Sequence, residues 1–167
     1  VRLRRSSDSA ESDFAAVELA GSVTGSERAT NGDFSTGDLT GWSADANFSV
    51  NGSDQLVCDG LQASRVECTQ TAICPETGDE NYYKLSFNII SCSDFTDAGI
   101  RLASGSFSTC EFSDMGIDSA GQYSVLINTS LCTAKQFDIF CQSGVALTID
   151  NISMKEYQPS AAELWAF

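Results

Sequence analysis

The chain has 167 residues, enough for one ordinary domain with a sizeable core, and only 19% of them are charged. With 9 Lys and Arg against 23 Asp and Glu, the formal net charge is -14, which repels a duplex or any other polyanion and excludes nucleic-acid binding by the body of the protein. There is no His, so Ser-His-Asp and Cys-His arrangements and His-ligated metals are excluded too.

The first residues, Val1 to Arg5, alternate apolar and charged side chains, and Asp8 to Glu11 form a cap for a short helix. Gly21 to Asn31 is polar and rich in Gly, Ser and Thr. Residues 1–30 therefore read as an N-terminal arm and linker. The start is no signal peptide, and it lacks Met, which points to a mature product or a fragment.

From Asn31 onward the chain is a series of short strand-like runs between turn-formers. "NGDFSTGDLTGW", Asn31 to Trp42, places Phe34 and Trp42 around a turn built by Gly and Asp. The runs "QLVC", "SRVECTQ", "YYKLSFNII", "AGIRLAS", "FSTCEF", "QYSVLINT", "QFDIFCQ" and "VALTIDNISMKEY" follow, and their spacing is that of a β-sandwich or barrel. Alternation assigns one face of each run to a shared core: Tyr83, Leu85, Phe87 and Ile89 on one strand, Tyr123, Val125 and Ile127 on another, and Ile100 and Leu102 on a third. In the last run Leu147 and Ile149 are followed out of step by Ile152 and Met154, which predicts a bulge near Asp150 and Asn151.

The tail, "PSAAELWAF", carries Leu164, Trp165 and Phe167 beyond the last strand. Leaving such side chains in water forgoes about 1.5 to 3 kcal/mol each, so they are expected to dock, either on their own sandwich or on a neighbouring subunit. Together with Arg2, Arg4, Arg5 and Phe14 of the arm they are the candidate assembly contacts of a homo-oligomer or larger assembly.

Seven cysteines, Cys58, Cys68, Cys74, Cys92, Cys110, Cys132 and Cys141, lack zinc-ribbon spacing. Two readings stay open: disulfides in an oxidising compartment, or small buried apolar side chains. No apolar run is long enough to span a bilayer.

The motif Asn31, Gly32, Phe34, Gly37, Gly41, Trp42, with the closing Ile149, Asp150, Asn151, Ile152, Met154, Lys155, resembles jelly-roll carbohydrate-binding modules and their galactose-binding-domain-like relatives. The resemblance covers residues 31–156. It implies an all-β antiparallel sandwich (jelly roll) over 31–156, preceded by an extended arm at 1–30 and followed by a short apolar tail at 157–167. It also implies structural calcium between the first and last strands, with Asp33 and Asp150 as ligand candidates and Asp38 behind them, although Ser35 stands where relatives often carry an acid. A glycan site would use aromatic rings and polar groups facing outward: Tyr82, Lys84, Ser86 and Asn88, joined by Asp138 and Phe140. The segment "VRLRRSSDSAESDF" is similar to segments of modular phage virion proteins.

The expectation is thus a structural or assembly module of a virion or other extracellular assembly, such as a decoration, fibre or filament subunit, with glycan binding as the alternative. Nothing in the spacing of the acids singles out a glycosidase pair, and no phosphate loop or dinucleotide fingerprint is present. Catalysis is not expected.

Overall fold

The structure, a computed structural model, describes residues 21–71, 73, 82–102, 110–128 and 136–160, with Leu102, Cys110 and Asn128 described through their backbone. Eleven strands are found among them: β1 (Ser22–Glu27), β2 (Ser43–Ala44), β3 (Phe48–Val50), β4 (Leu56–Asp59), β5 (Val66–Thr71), β6 (Tyr82–Cys92), β7 (Ala98–Leu102), β8 (Cys110–Glu111), β9 (Gly121–Asn128), β10 (Gln136–Cys141) and β11 (Ala146–Gln158). A single 3-10 turn, Ser113–Met115, lies between β8 and β9.

These strands make two antiparallel sheets. The first has the order β3-β4-β11-β6-β9, with β1 also paired to β11, and the second has the order β2-β5-β10-β7-β8. Thirteen residues make β11 long enough to serve two partners on one flank. Its first part, Ala146 to Ile149, pairs with β4, and its last part, Lys155 to Gln158, pairs with β1. On its other flank β6 runs along nearly all of it. The fold is an all-β sandwich.

Period-two alternation places the core where the sequence predicts it. Tyr83, Leu85, Phe87 and Ile89 of β6 are buried, as are Val125 and Ile127 of β9 and Ile100 of β7. Phe137, Ile139 and Cys141 of β10 meet them from the opposing sheet in one continuous cluster. Each such large side chain removed from water contributes about 1.5 to 3 kcal/mol. The predicted bulge is present: the β11 to β6 register shifts between Asp150 and Ser153, and Asn151 adopts a φ of 54°. Asn is one of the few side chains that takes this left-handed conformation readily.

The Asn31 to Trp42 turn closes one end. Phe34 is fully buried, and Trp42 packs between it and Phe137 at centroid distances of 5.6 and 6.1 Å. The Trp42 indole N–H donates to the Thr30 carbonyl at 3.0 Å. Aspartates act as turn acceptors here: Asp33 Oδ1 takes the Ser35 hydroxyl, and Asp38 Oδ1 takes the Thr36 hydroxyl and the Thr40 N–H. Two contacts fasten the turn to both sheets. Ile152 N–H donates to Gly32 O at 2.8 Å, an approach so close that a Cβ on Gly32 would collide with the Ile152 carbonyl. Buried Gln70 of β5 donates to Thr30 O and Gly41 O.

Three strands depart from the sequence reading, and two of them, β2 and β3, fall before the first run it marked. The third, Ser22–Glu27, within the stretch expected as linker, is a strand of the first sheet. Its residues are mostly polar and five of the six are exposed, so no apolar alternation marked it. The arm residues Arg2, Arg4, Arg5 and Phe14 and the tail residues Leu164, Trp165 and Phe167 lie outside the described residues.

Candidate functional site on the outer face of the first sheet

The side chains of β6 that point away from the core sit in rows set by strand register. Lys84 lies opposite Lys155 of β11 and Leu126 of β9, and Lys155 in turn lies opposite Glu27 of β1. Ser86 lies between Ser153 and Ser124, Tyr82 is opposite Tyr157, and Asn88 is opposite Asp150. Of the residues the sequence offered for a glycan site, Tyr82, Lys84 and Asn88 are therefore brought onto one face, with Ser86 among them.

Between these rows is a depression of about 150 Å³ lined by Val23, Lys84, Ser86, Ser153 and Lys155. The Ser86 and Ser124 hydroxyls are 3.0 Å apart. Ser153 donates to Glu27 Oε2 at 2.6 Å. Glu27 Oε1 accepts the N–H groups of Arg28, Ala29 and Met154, and Lys155 Nζ stands 3.6 Å from Oε2. Burial alone would raise the Glu27 carboxyl, but the bonds from Ser153, Ala29, Met154 and Arg28 outweigh it and hold the carboxyl below its ordinary value. Lys84 forms no ion pair among the described residues.

Such a surface can bond hydroxyl-bearing ligands. Serine hydroxyls both donate and accept, and ammonium groups donate. The sequence reading missed Val23, Glu27, Ser153 and Lys155. Alternation after the Asn151 bulge puts Ser153 and Lys155 opposite the buried Ile152 and Met154, a signal that was available, whereas the pairing of β11 with β6 was not.

Asp138 and Phe140 correct the predicted site. Both belong to β10 in the second sheet, on the side facing away from the shared core, so the sandwich separates them from Tyr82, Lys84 and Asn88. Neither is open to a ligand, with exposures of 1% and 0%. The Arg65 guanidinium lies 4.1 Å from the Phe140 ring centre. Asp138 takes Arg101 Nε on one oxygen and Gln136 Nε2 on the other, both at 2.6 Å. Glu67 completes the chain, accepting from Arg101 Nη2 at 2.8 Å and standing 2.9 Å from Arg65 Nε as an ion pair. Charge and aromatic ring are here sealed into a structural network.

For calcium, Asp33 and Asp150 are both committed to local bonds. The Ser35 N–H and hydroxyl hold the Asp33 carboxyl below its ordinary value, and Asp150 receives Asn151 N–H at 2.6 Å and Asn151 Nδ2 at 3.0 Å. Burial pushes the Asp150 carboxyl up, and the nearby charges of Asp33 and Asp54 add to the rise against the Asn151 bond. Among the described residues no group of three or more His, Cys, Asp or Glu comes together as a metal would need.

The disulfide reading is also corrected among the described cysteines. Cys58, Cys68, Cys92 and Cys141 are free thiols. Cys58, Cys68 and Cys141 are buried in the core as small apolar side chains. Burial, with the charges of Asp138 and Asp45, pushes the Cys68 thiol up to about 12. The bond to Cys58, then burial, pushes Cys141 up as well. Cys74, Cys132 and the Cys110 side chain lie outside the described residues. No helix among the described residues is long and apolar enough to cross a membrane, a statement that leaves strand-built spans aside.

No protein-family model matches the chain, and no curated protein matches it. Among solved structures it is similar to a bacteriophage CBA120 tailspike protein 4 enzymatically active domain, at 17% identity and a TM-score of 0.48. The match covers 78% of this chain and 21% of that one, so the chain spans about a fifth of the neighbour's length. The neighbour's activity is a property of that protein. Its description as enzymatically active stands against the expectation that catalysis is absent, and that expectation is withdrawn. The lack of His removes His-dependent mechanisms and no others.

Proposed function

We propose that this chain is a β-sandwich module of a virion or another extracellular assembly, and that it recognises glycan through the outer face of the β6 sheet. One observation carries the glycan half: the depression between Lys84, Ser86, Ser153 and Lys155 gathers hydroxyl and ammonium donors on one half-buried sheet face, with Tyr82 one register step away. Sugar recognition calls for that combination, a ring to stack on and polar groups to meet hydroxyls. The assembly half is supported by the virion-like segment Val1 to Phe14 and by the apolar tail, whose Leu164, Trp165 and Phe167 would seat against a neighbouring subunit.

A glycan array probed with the full chain tests the first half. Binding that is lost on Ser153→Leu, which fills the depression from the sheet face, supports it; no bound glycan, or binding unchanged in that variant, overturns it. Light scattering tests the second. A defined oligomer that becomes a monomer when residues 1–20 or 161–167 are deleted is the expected result, and an unchanged oligomer rejects arm and tail as the contacts.

A further inference from the structure

The charges around the depression specify more than a polar ligand. Lys84 and Lys155 face each other directly across β6 and β11, and like charges in opposed positions of an antiparallel pair destabilise it. The protein has carboxylates in excess, 23 against 9 basic residues, yet among the described residues one carboxylate, Glu27, stands beside Lys155 here. That carboxylate is itself held by three backbone N–H groups and the Ser153 hydroxyl. Lys84 forms no ion pair among the described residues and lines the depression. Among the described residues the result is two ammonium groups and one carboxylate, a local positive charge on a body of formal net charge -14.

We infer that the ligand of this face is an acidic sugar, whose carboxylate pairs with Lys84 while its ring hydroxyls meet Ser86 and Ser153. This rests on the glycan reading above and narrows it to a substrate class. The depression, at about 150 Å³, is of the size that takes one six-membered ring, which suits one sugar ring rather than a length of chain. The hydroxyl row lies one step along the sheet from the lysine row, so a single ring carrying both a carboxylate and hydroxyls can engage both. A neutral sugar would bring Lys84 no counter-charge, whereas Lys155 already has Glu27 beside it. Glu27, at the far side of Lys155, disfavours a ligand with charge spread over its whole edge and favours one acidic group at the Lys84 end.

The test uses the full chain and a panel of probes: methyl glucuronide, methyl galacturonide and N-acetylneuraminate, each beside its neutral methyl ester, titrated by NMR at low and at high salt. The expected result is that one acid binds at least about tenfold tighter than its ester at low salt, with the gap closing at high salt. Lys84→Met should bring the acid down to the ester while Lys84→Arg retains most of the gap, and an unchanged amide spectrum away from β6 and β11 confirms the fold of each variant. Equal binding of acid and ester, or a Lys84→Met variant that keeps the gap, overturns the inference. Failure of every acid while neutral glycans bind on the array overturns this inference and leaves the glycan reading standing. Failure of all sugars overturns both.

Discussion

The two outer faces of the sandwich carry similar residue types and use them in opposite ways. On the second sheet Arg65, Glu67, Arg101, Asp138 and Gln136 form one linked network, and beneath Arg65 the Phe140 ring is fully buried. On the first sheet Lys84 is left without an ion pair among the described residues, three serines stand in a row, and a depression stays open beside them. A charge sealed by its neighbours holds a sheet together; a charge left beside a cleft is available to a ligand. Residue type alone does not separate the two, and strand register does.

That contrast predicts unequal responses to mutation. Phe140→Ala should cost the most, about 3 to 5 kcal/mol, because it empties a fully buried site. Urea denaturation would measure it, and a loss under 1 kcal/mol, roughly, would mean that the face is not sealed. Asp138→Ala should cost about 3 kcal/mol, since it leaves Arg101 without its buried partner. If Arg101→Met combined with Asp138→Ala recovers none of the loss, the ion pair is not the cause.

Glu27 belongs to the open face and should matter less. It is 38% exposed, so the loss of its bonds in Glu27→Gln is discounted to about 1 kcal/mol. Its carboxyl is held below the ordinary value in the folded protein, so its contribution is present above the ordinary glutamate range and is lost as pH falls through the lower, folded value. The gap in stability between wild type and Glu27→Gln should therefore be full at neutral pH and shrink on acidification. A gap that widened on acidification would reverse the assignment.

Smallest in stability is Lys84→Met, within about 0.5 kcal/mol of wild type, although sugar affinity should drop at least about tenfold. A destabilisation like that of Asp138→Ala would move Lys84 into the structural class. The buried thiols supply a further contrast without mutation. Cys68, pushed up to about 12, should resist alkylation at mildly alkaline pH in the folded protein and react once urea unfolds it, followed by mass spectrometry.

Much of the fold was legible because its information is local. Alternation in "YYKLSFNII" and "QYSVLIN" reports which side is buried, the break of step at Asp150 and Asn151 reports the bulge, and Gly and Asp around Phe34 and Trp42 report the turn. The all-β sandwich follows from those. Strand β1 was not legible, because its pairing is made by backbone groups and its side chains are polar. The site was half legible: Tyr82, Lys84, Ser86 and Asn88 share a face by alternation alone, while Lys155, Ser153 and Glu27 join them through pairings distant in sequence. Asp138 and Phe140 face away from the core, as alternation predicts, but their sealing depends on Arg65, just before β5, and Arg101 of β7, both distant in sequence.

The central claim is that the outer face of the first sheet is where ligand binds. The most direct measurement is a map of amide and side-chain NMR shifts over the full chain during titration with a glycan selected on the array. The account predicts perturbations centred on Tyr82, Lys84, Ser86, Ser153 and Lys155, with Arg101, Asp138 and Phe140 unmoved. Shifts centred on β10, or on the Asn31 to Trp42 turn, would contradict it.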